Sequence, residues 1–331
     1  MALTTRLTQR LGIEHPIISA PMAFAAGGKL AAAVTAAGGF GVIGGGYGEP
    51  DWLEREFATA GSARVGCGFI TWSLARHPTV LDAVLARAPA AIMLSFGDPG
   101  PFAPAVKAAN ALLICQVQTM KHAREAVVAG ADIVVAQGAE AGGHGALRAT
   151  FTLVPEIADY LAKAAPQTLL VAAGGVADGR GLAAALMLGA DGVLVGSRFW
   201  ASKEAIVPES FQQAAVAADG DATIRTSVVD VVRKKAWPAE FTARVMKNRF
   251  VTEWHGHEVA LASAENAARE LDRYARAWQA GDIDNTGVFV GEAAGLIHDV
   301  RPAADIIRGI VAEAARTLAQ RPALSPRQPR G

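Results

Sequence analysis

Short apolar runs alternate with longer amphipathic segments through the first 200 residues of the chain. Eight of these runs are nearly continuous in apolar residues and are bounded by polar residues or glycine, as is typical of strands buried on both faces. The runs occupy residues 16–21, 41–46, 64–70, 90–96, 112–117, 132–138, 168–175 and 192–199. The pattern predicts eight parallel β-strands, which are called the first to the eighth predicted strand in chain order.

The segments between the runs predict helices. In "GGKLAAAVTAAGG", "TMKHAREAVVAGA" and "DGRGLAAALMLGA", apolar positions recur three and four residues apart and glycine follows the last of them. Eight strand–helix units close naturally into a (β/α)₈ TIM barrel of the α/β class, whereas an open doubly wound sheet needs no such regular count. We therefore expect a barrel over residues 1–200.

The regular alternation ends near residue 200. Residues 201–285 predict a helical insertion over or beside the barrel mouth. Residues 286–320 are expected to return to the barrel and end in a closing helix. The Pro- and Arg-rich residues 321–331 predict a flexible tail.

Composition and charge narrow the class of protein. The 31 basic and 31 acidic residues balance, which removes any electrostatic case for nucleic acid or an acidic membrane as partner. Residues 30–48 carry no charge, but their glycine content favours a soluble core over a membrane span. Cys67 and Cys115 lie in apolar segments without metal-ligand spacing, so we expect free thiols, no metal site and a cytoplasmic location.

One histidine stands where a barrel places its chemistry. Reactive groups of such barrels lie at the C-terminal ends of the strands. Among the seven histidines, His144 follows a strand end closely, in the glycine-rich stretch "QGAEAGGHGA" (137–146). Imidazole is the usual general base near neutral pH, and the glycines would admit a flat cofactor. A loop histidine with a purely structural role is the alternative, and the roles of His255 and His257 stay open.

Glycine-rich loops follow the seventh and eighth predicted strands, in "AAGGVADGRG" and "VGSRF". Loops at this point of a barrel often bind phosphate, with backbone N–H groups directed at the ligand. The pattern predicts a phosphorylated ligand, either a sugar phosphate or a flavin nucleotide, with close helix–strand packing as the alternative reason for the glycines. The candidate groups are Gly174, Gly175, the predicted N-cap Asp178, Gly196, the hydroxyl of Ser197 and the guanidinium of Arg198.

Two amides interrupt apolar strands. Gln116 and Gln137 stand at predicted strand ends, where a buried amide requires hydrogen-bond partners. A ring with alternating donors and acceptors, such as the flavin isoalloxazine, would satisfy both side chains. Water or backbone groups would also do so.

These stretches, together with "APMAFAAGGKLAAAVTAAGGFGVIGGG", resemble the nitronate monooxygenase family, formerly called 2-nitropropane dioxygenases, which are FMN-dependent barrel enzymes. The resemblance covers roughly residues 13–200, with a weaker similarity at residues 289–303. It implies that His144 is the catalytic base. The implied FMN contacts are Ala20, Pro21 and Met22 at the ring, Gln137 and Gly142 in the sixth-strand motif, and Gly174, Gly175, Leu194, Val195, Gly196 and Ser197 at the phosphate and ribityl chain.

The sequence departs from the family pattern at two expected contacts. Gly68 stands at the expected end of the third predicted strand, where an asparagine is frequent, and Leu194 stands where a glutamine is common. Both departures remove polar contacts near the ring. Gly68 and Gln116 are nevertheless kept as predicted cofactor contacts.

The resemblance implies that His144 takes the proton from the carbon bearing the nitro group, and that the nitronate passes an electron to FMN. Reaction with dioxygen then yields a carbonyl compound and nitrite. The partners are thus a nitronate or nitroalkane and dioxygen, and a homodimer is compatible with the sequence. The alternatives are an NAD(P)H:quinone reductase or a flavin-dependent enoyl-thioester reductase, with the basic segment 225–249 as nucleotide anchor, and a non-redox barrel that binds a sugar phosphate.

Overall fold

The computed structural model describes residues 3–320 apart from the side chain of Ala264, so the predicted tail at 321–331 lies outside the described residues. The described residues contain eleven strands, in chain order: β1 (Ile17–Ser19), β2 (Val42–Gly46), β3 (Gly66–Ile70), β4 (Ala91–Ser95), β5 (Leu112–Val117), β6 (Ile133–Gln137), β7 (Gly143–Gly145), β8 (Leu169–Ala173), β9 (Gly192–Val195), β10 (Thr223–Thr226) and β11 (Thr242–Met246).

Eight parallel strands form one sheet in the order β1-β9-β8-β6-β5-β4-β3-β2. The sheet closes on itself beside β2, where the N–H of Phe40 donates to the carbonyl of Ile17 at 2.9 Å and the N–H of Ser19 donates to the carbonyl of Phe40 at 3.0 Å. The predicted (β/α)₈ barrel is therefore confirmed. The predicted sixth, seventh and eighth strands correspond to β6, β8 and β9.

Helices surround the barrel and form most of the segment that follows it. Their bounds are α1 (Arg6–Leu11), α2 (Gly28–Ala36), α3 (Pro50–Ala60), α4 (Thr71–Leu74), α5 (Thr79–Leu85), α6 (Ala103–Ala108), α7 (Met120–Val128), α8 (Thr150–Ala164), α9 (Gly179–Met187), α10 (Ser197–Trp200), α11 (Glu209–Ala217), α12 (Val228–Val232), α13 (Arg249–Trp254), α14 (Glu258–Leu261), α15 (Ala264–Ala280) and α16 (Ala303–Ala319), with 3₁₀ turns at Gly220–Ala222 and Glu292–Leu296.

Alternate residues of each barrel strand enter two separate cores, as the two-residue period of a strand requires. In β6, Ile133 and Val135 face the barrel interior, while Val134 and Ala136 pack against the helices. Helix α1 closes the N-terminal end of the barrel with two fully buried leucines. Helix α16 packs closely against α9. The contact requires glycine at position 179, because a Cβ there would lie 2.3 Å from the N atom of Ala314.

The segment after residue 200 is not purely helical, which corrects the predicted helical insertion. Besides α11 to α15 it contains β10 and β11, which form an antiparallel sheet in the order β10-β11-β7. Strand β7 comes from the loop after β6 of the barrel, so the insertion is hydrogen-bonded to the barrel loop that carries His144. The insertion has its own core around α12 and α13.

Within residues 3–320, no helix is long and apolar enough to cross a membrane.

Candidate active site

A cavity of about 540 Å³ opens at the C-terminal ends of the barrel strands. Every predicted catalytic or cofactor-binding residue except Val195 lines it, whereas Asp178 and Arg198, the other candidates in the phosphate loops, do not. Val195 is fully buried in the outer core between the strands and the helices. Its neighbour Leu194 faces the barrel interior and reaches the cavity. The lining residues among those predicted are Ala20, Pro21, Met22, Gly68, Gln116, Gln137, Gly142, His144, Gly174, Gly175, Leu194, Gly196 and Ser197.

His144 is held in the middle of β7 by pairing with β11, where it stands opposite Ala243. Its Nε2 lies 2.8 Å from Oδ2 of Asp230 in α12, and the two side chains are only 9% and 5% exposed. The other carboxylate oxygen of Asp230 accepts a hydrogen bond from Nη2 of Arg233 at 2.9 Å. Asp230 therefore fixes the orientation of the imidazole and, when Nε2 carries the proton, leaves the lone pair on Nδ1.

The electrostatic surroundings favour a neutral imidazole. Burial lowers the pKa of His144 from its ordinary value, and the neighbouring Arg233 and Arg225 act in the same direction. The hydrogen bond to Asp230 and the charge of that carboxylate oppose the shift without cancelling it. A neutral imidazole can accept a proton, which is the protonation state that a general base requires.

Aromatic side chains form the wall beside His144. Trp237, from the segment between α12 and β11, lies parallel to the imidazole with ring centroids 3.4 Å apart. The indole Nε1 donates to the hydroxyl of Tyr47 at 3.0 Å, and the Lys235 ammonium lies 4.1 Å from the centre of the Tyr47 ring. Phe96 contacts Trp237 edge-on. One face of the imidazole is thus covered by protein.

The amide of Gln137 is satisfied inside the protein, contrary to the expectation that the flavin ring satisfies it. Its Oε1 accepts from Nε2 of Gln116 at 3.1 Å and from Nε2 of Gln118 at 2.9 Å. Its Nε2 donates to the carbonyl of His144 at 3.1 Å. Gln137 therefore links β5 and β6 to β7 and supports the backbone under His144. Gln118, which the sequence analysis did not single out, completes this network.

Glycine occupies positions in the site for two different physical reasons. A Cβ at Gly142 would lie 2.5 Å from the N atom of Gly291, and one at Gly68 would lie 2.4 Å from Cβ of Pro21. Both glycines are required by packing. Gly68 also stands in the middle of β3 rather than at the expected strand end.

Gly196 has no such packing reason. A Cβ there would lie no closer than 3.6 Å to the surrounding side chains, and its φ of −103° is allowed to any residue. At Gly175 a Cβ would also reach 3.6 Å, although a φ of +77° favours glycine. Within residues 3–320, the N–H groups of Gly175, Gly196 and Ser197 donate to no protein acceptor. The two loops form a concave surface of free donors, which suits a phosphate.

Arg198 does not join this surface, which corrects the expectation for its guanidinium. It is buried away from the cavity and binds Asp299, through the carbonyl at 2.7 Å and the carboxylate at 2.6 Å. Ser197 lines the cavity, but its hydroxyl accepts a hydrogen bond from the N–H of Gly291 at 2.9 Å. The N–H of Ser197, rather than its hydroxyl, is therefore left without a protein partner within residues 3–320.

The basic side chains of segment 225–249 largely form hydrogen bonds and ion pairs within the protein and do not make up a solvated face. Arg225 and Arg244 both donate to the carbonyl of Ala139, at 3.1 and 2.9 Å, and so hold the loop that leads to His144. Burial and the neighbouring Arg244 lower the pKa of Arg225 to about 10. Arg233 is committed to Asp230, and Lys235 lines the cavity.

The structure adds residues that the sequence analysis missed. Asp230 lies 86 positions from His144, and Trp237 stands in a segment interpreted only as basic. Helix α15 contributes Tyr274 and Trp278 to the cavity wall. Tyr274 and Trp278 stand four positions apart, which places both on one face of a helix. This spacing was the only feature of the sequence that pointed to any of these residues. His255 bonds Thr226 through Nδ1 at 3.1 Å, and it lies outside the cavity lining together with His257.

Comparison with known proteins identifies relatives along nearly the whole chain. The sequence profile of the nitronate monooxygenase family matches residues 4–64 and 72–313. A nitronate monooxygenase of Neurospora crassa is 33% identical over 90% of this chain and 88% of the relative. An octahydro-1H-indene-4-carboxyl-CoA dehydrogenase of Mycobacterium tuberculosis is 29% identical over 95% and 97%. The structure of FabK from Thermotoga maritima superposes with a TM-score of 0.81 at 31% identity, covering 96% of this chain and 97% of FabK. The chain belongs to the nitronate monooxygenase family and is a flavin-dependent oxidoreductase.

Proposed function

We propose that this enzyme oxidises alkyl nitronates with FMN and dioxygen to a carbonyl compound and nitrite, and that His144 is its general base for neutral nitroalkanes. His144 on the cavity wall supports this proposal most directly, because its Nε2 lies 2.8 Å from Oδ2 of the buried Asp230. An oriented neutral imidazole in a largely apolar cavity is suited to take a proton from carbon. The names of the nitronate monooxygenase relatives support the same reaction class.

The residues present fit FMN as the flavin. The free N–H groups of Gly175, Gly196 and Ser197 would hold the phosphate, and the open space at Gly196 would admit it. The backbone after β1, from Ala20 to Met22, lies on the same cavity and would support the ring. Of the predicted amides, Gln116 would contact the ring, because Gln137 already has protein partners. FMN, when bound, supplies electron transfer from the nitronate and the reaction with dioxygen.

The protein's own part in the reaction is to hold and deprotonate the substrate. A nitroalkane would be placed with its acidic carbon toward the Nδ1 lone pair of His144. As the proton moves to Nδ1, the Asp230 carboxylate stabilises the imidazolium that forms. Lys235 lines the same cavity and attracts the negative charge that develops on the nitro group. The apolar wall excludes water from the carbanion.

The experiment compares two substrates in the purified yellow enzyme. His144→Gln should retain FMN, measured by the absorbance of the released cofactor, and lose roughly 10²–10⁴-fold in turnover of a neutral nitroalkane. Turnover of the preformed nitronate should change far less, because its proton has already left. His122→Gln is the matched control, since His122 lies outside the cavity. Oxidation of neutral nitroalkanes at the parent rate by His144→Gln would show that the base is another group.

A second candidate is reduction or dehydrogenation of an acyl thioester. The cavity lining includes, besides the proposed flavin and His144 surroundings, the apolar side chains of Ile206, Leu271, Ala275 and Trp278, which suit an apolar acyl chain. The name of the mycobacterial relative, a carboxyl-CoA dehydrogenase, agrees with such a substrate. Rapid anaerobic bleaching of the flavin by NADH or NADPH, with no consumption of nitronate in air, would favour thioester or quinone reduction over nitronate oxidation, and anaerobic bleaching by an acyl thioester would favour dehydrogenation.

A further inference from the structure

The indole of Trp237 lies flat on the His144 imidazole, with an interplanar angle of 2°. The other aromatic contacts of Trp237 are T-shaped, at 80° to Tyr47, 74° to Trp72, 73° to Phe96 and 82° to Phe241. These four contacts and the Nε1 hydrogen bond to Tyr47 hold the indole in place. His144 is the one aromatic neighbour of Trp237, among the described residues, that stacks on it in parallel.

This arrangement has a chemical consequence for the imidazole. An aromatic face attracts a cation, and the attraction is larger where water is excluded. When His144 takes a proton, the positive charge forms directly over the indole. Stacking also leaves the in-plane lone pair of Nδ1 free, because the indole covers a face of the ring and not its edge. Trp237 thus closes one face of the ring to the substrate and leaves its edge uncovered.

We propose that Trp237 is a positioning residue that presents the edge of the His144 ring to the substrate and stabilises its protonated form. The proposal rests on His144 acting as the base. The backbone on both sides of Trp237 is conformationally restricted, because Lys234 adopts a φ of +52° and Pro238 follows Trp237 directly. Trp237 is half-buried on the cavity wall, where it contacts the ring directly.

The charged and titratable groups around the ring come from several elements. Asp230 on α12 and Arg233 just after it act from one side, and Arg225 acts from β10. Lys235 lies over the Tyr47 ring, and the Tyr47 hydroxyl accepts the hydrogen bond from the indole N–H. A Trp237 variant removes none of these charged groups, and Trp237→Phe, which loses the hydrogen bond to Tyr47 but keeps an aromatic face, separates that effect from the loss of the stack.

The test is an NMR titration of the imidazole C–H signals of labelled holoenzyme, with the His144 signal assigned by its absence in His144→Gln. Trp237→Leu should lower the pKa of His144 by about half a unit to one unit. It should also remove the upfield ring-current shift of that signal. Trp237→Phe should give an intermediate change. In kinetics, Trp237→Leu should lower kcat/KM for a neutral nitroalkane by about three- to tenfold, with the nitronate rate within twofold of the parent.

Phe241→Leu is the matched control, because Phe241 belongs to the same aromatic cluster, contacts Trp237 edge-on and lies outside the cavity. An unchanged His144 pKa in Trp237→Leu, or an equal shift in Phe241→Leu, would overturn the proposal. Failure of the base assignment would appear separately, as full nitroalkane turnover by His144→Gln. The NMR titration would still decide the effect of Trp237 in that case.

Discussion

Replacing Asp230 with asparagine would remove one negative charge from the buried His144–Asp230–Arg233 group while leaving its shape almost unchanged. The carboxylate is 5% exposed and bonds His144 Nε2 at 2.8 Å and Arg233 Nη2 at 2.9 Å, so solvent hardly screens it. A hydrogen bond to a charged group contributes about 1.5–3 kcal/mol. Its loss should lower the pKa of His144 by roughly one to two units below the already depressed value, because Asp230 is the group that raises it.

The expected kinetic result for Asp230→Asn is a fall of roughly ten- to hundredfold in kcat/KM for a neutral nitroalkane, with a smaller effect on the preformed nitronate. The acidic limb of the kcat/KM profile should move to lower pH. Glu240→Gln is the matched control, because Glu240 pairs with His122 at 3.4 Å outside the cavity. Parent turnover of nitroalkanes and a parent pH profile in Asp230→Asn would refute the reasoning that Asp230 supports the base.

Two further predictions follow from the same site. Gly196→Ala should leave the melting temperature of the flavin-free protein unchanged and weaken FMN binding roughly five- to hundredfold. Gly142→Ala should lower the free energy of unfolding by about 1–3 kcal/mol, because its Cβ meets backbone at 2.5 Å. Unfolding of the flavin-free proteins and flavin titrations on both variants check this, and a destabilised Gly196→Ala with the parent affinity for FMN would contradict it. The pKa of His144 is lowered from 6.5 in the folded chain, so the unfolded chain binds more protons just below pH 6.5. The free energy of unfolding should therefore rise with pH through that window. In His144→Gln this part of the pH dependence should be absent. Denaturant unfolding at several pH values measures both slopes, and identical slopes would contradict the prediction.

The barrel could be predicted because each strand is buried on both faces and its apolar run is continuous, a signal that lies entirely in local sequence. The position of the glycine-rich loops after β8 and β9 on the cavity could be predicted for the same reason, because these glycines follow the strand ends directly. His144 stood out because its flanking glycines removed ordinary packing partners. These features depend on neighbours within a few residues.

The surroundings of His144 could not be predicted, because they depend on pairing between distant segments. Strands β7 and β11 meet across about one hundred positions, and that contact brings Asp230 and Trp237 to the imidazole. Arg198 was assigned to the phosphate surface from its position, but a carboxylate 101 residues away binds it. Likewise, Gln137 was expected to face the flavin, while two other glutamines and a backbone carbonyl satisfy it.

The three-stranded sheet β10-β11-β7 divides the work of the site between two parts of the chain. Every residue proposed to hold the phosphate comes from the barrel, whereas the groups that surround His144 come mainly from residues 223–246 of the insertion. A chimaera that carries residues 223–246 of a relative should therefore change the environment of His144 while it keeps Gly175, Gly196 and Ser197 as they are.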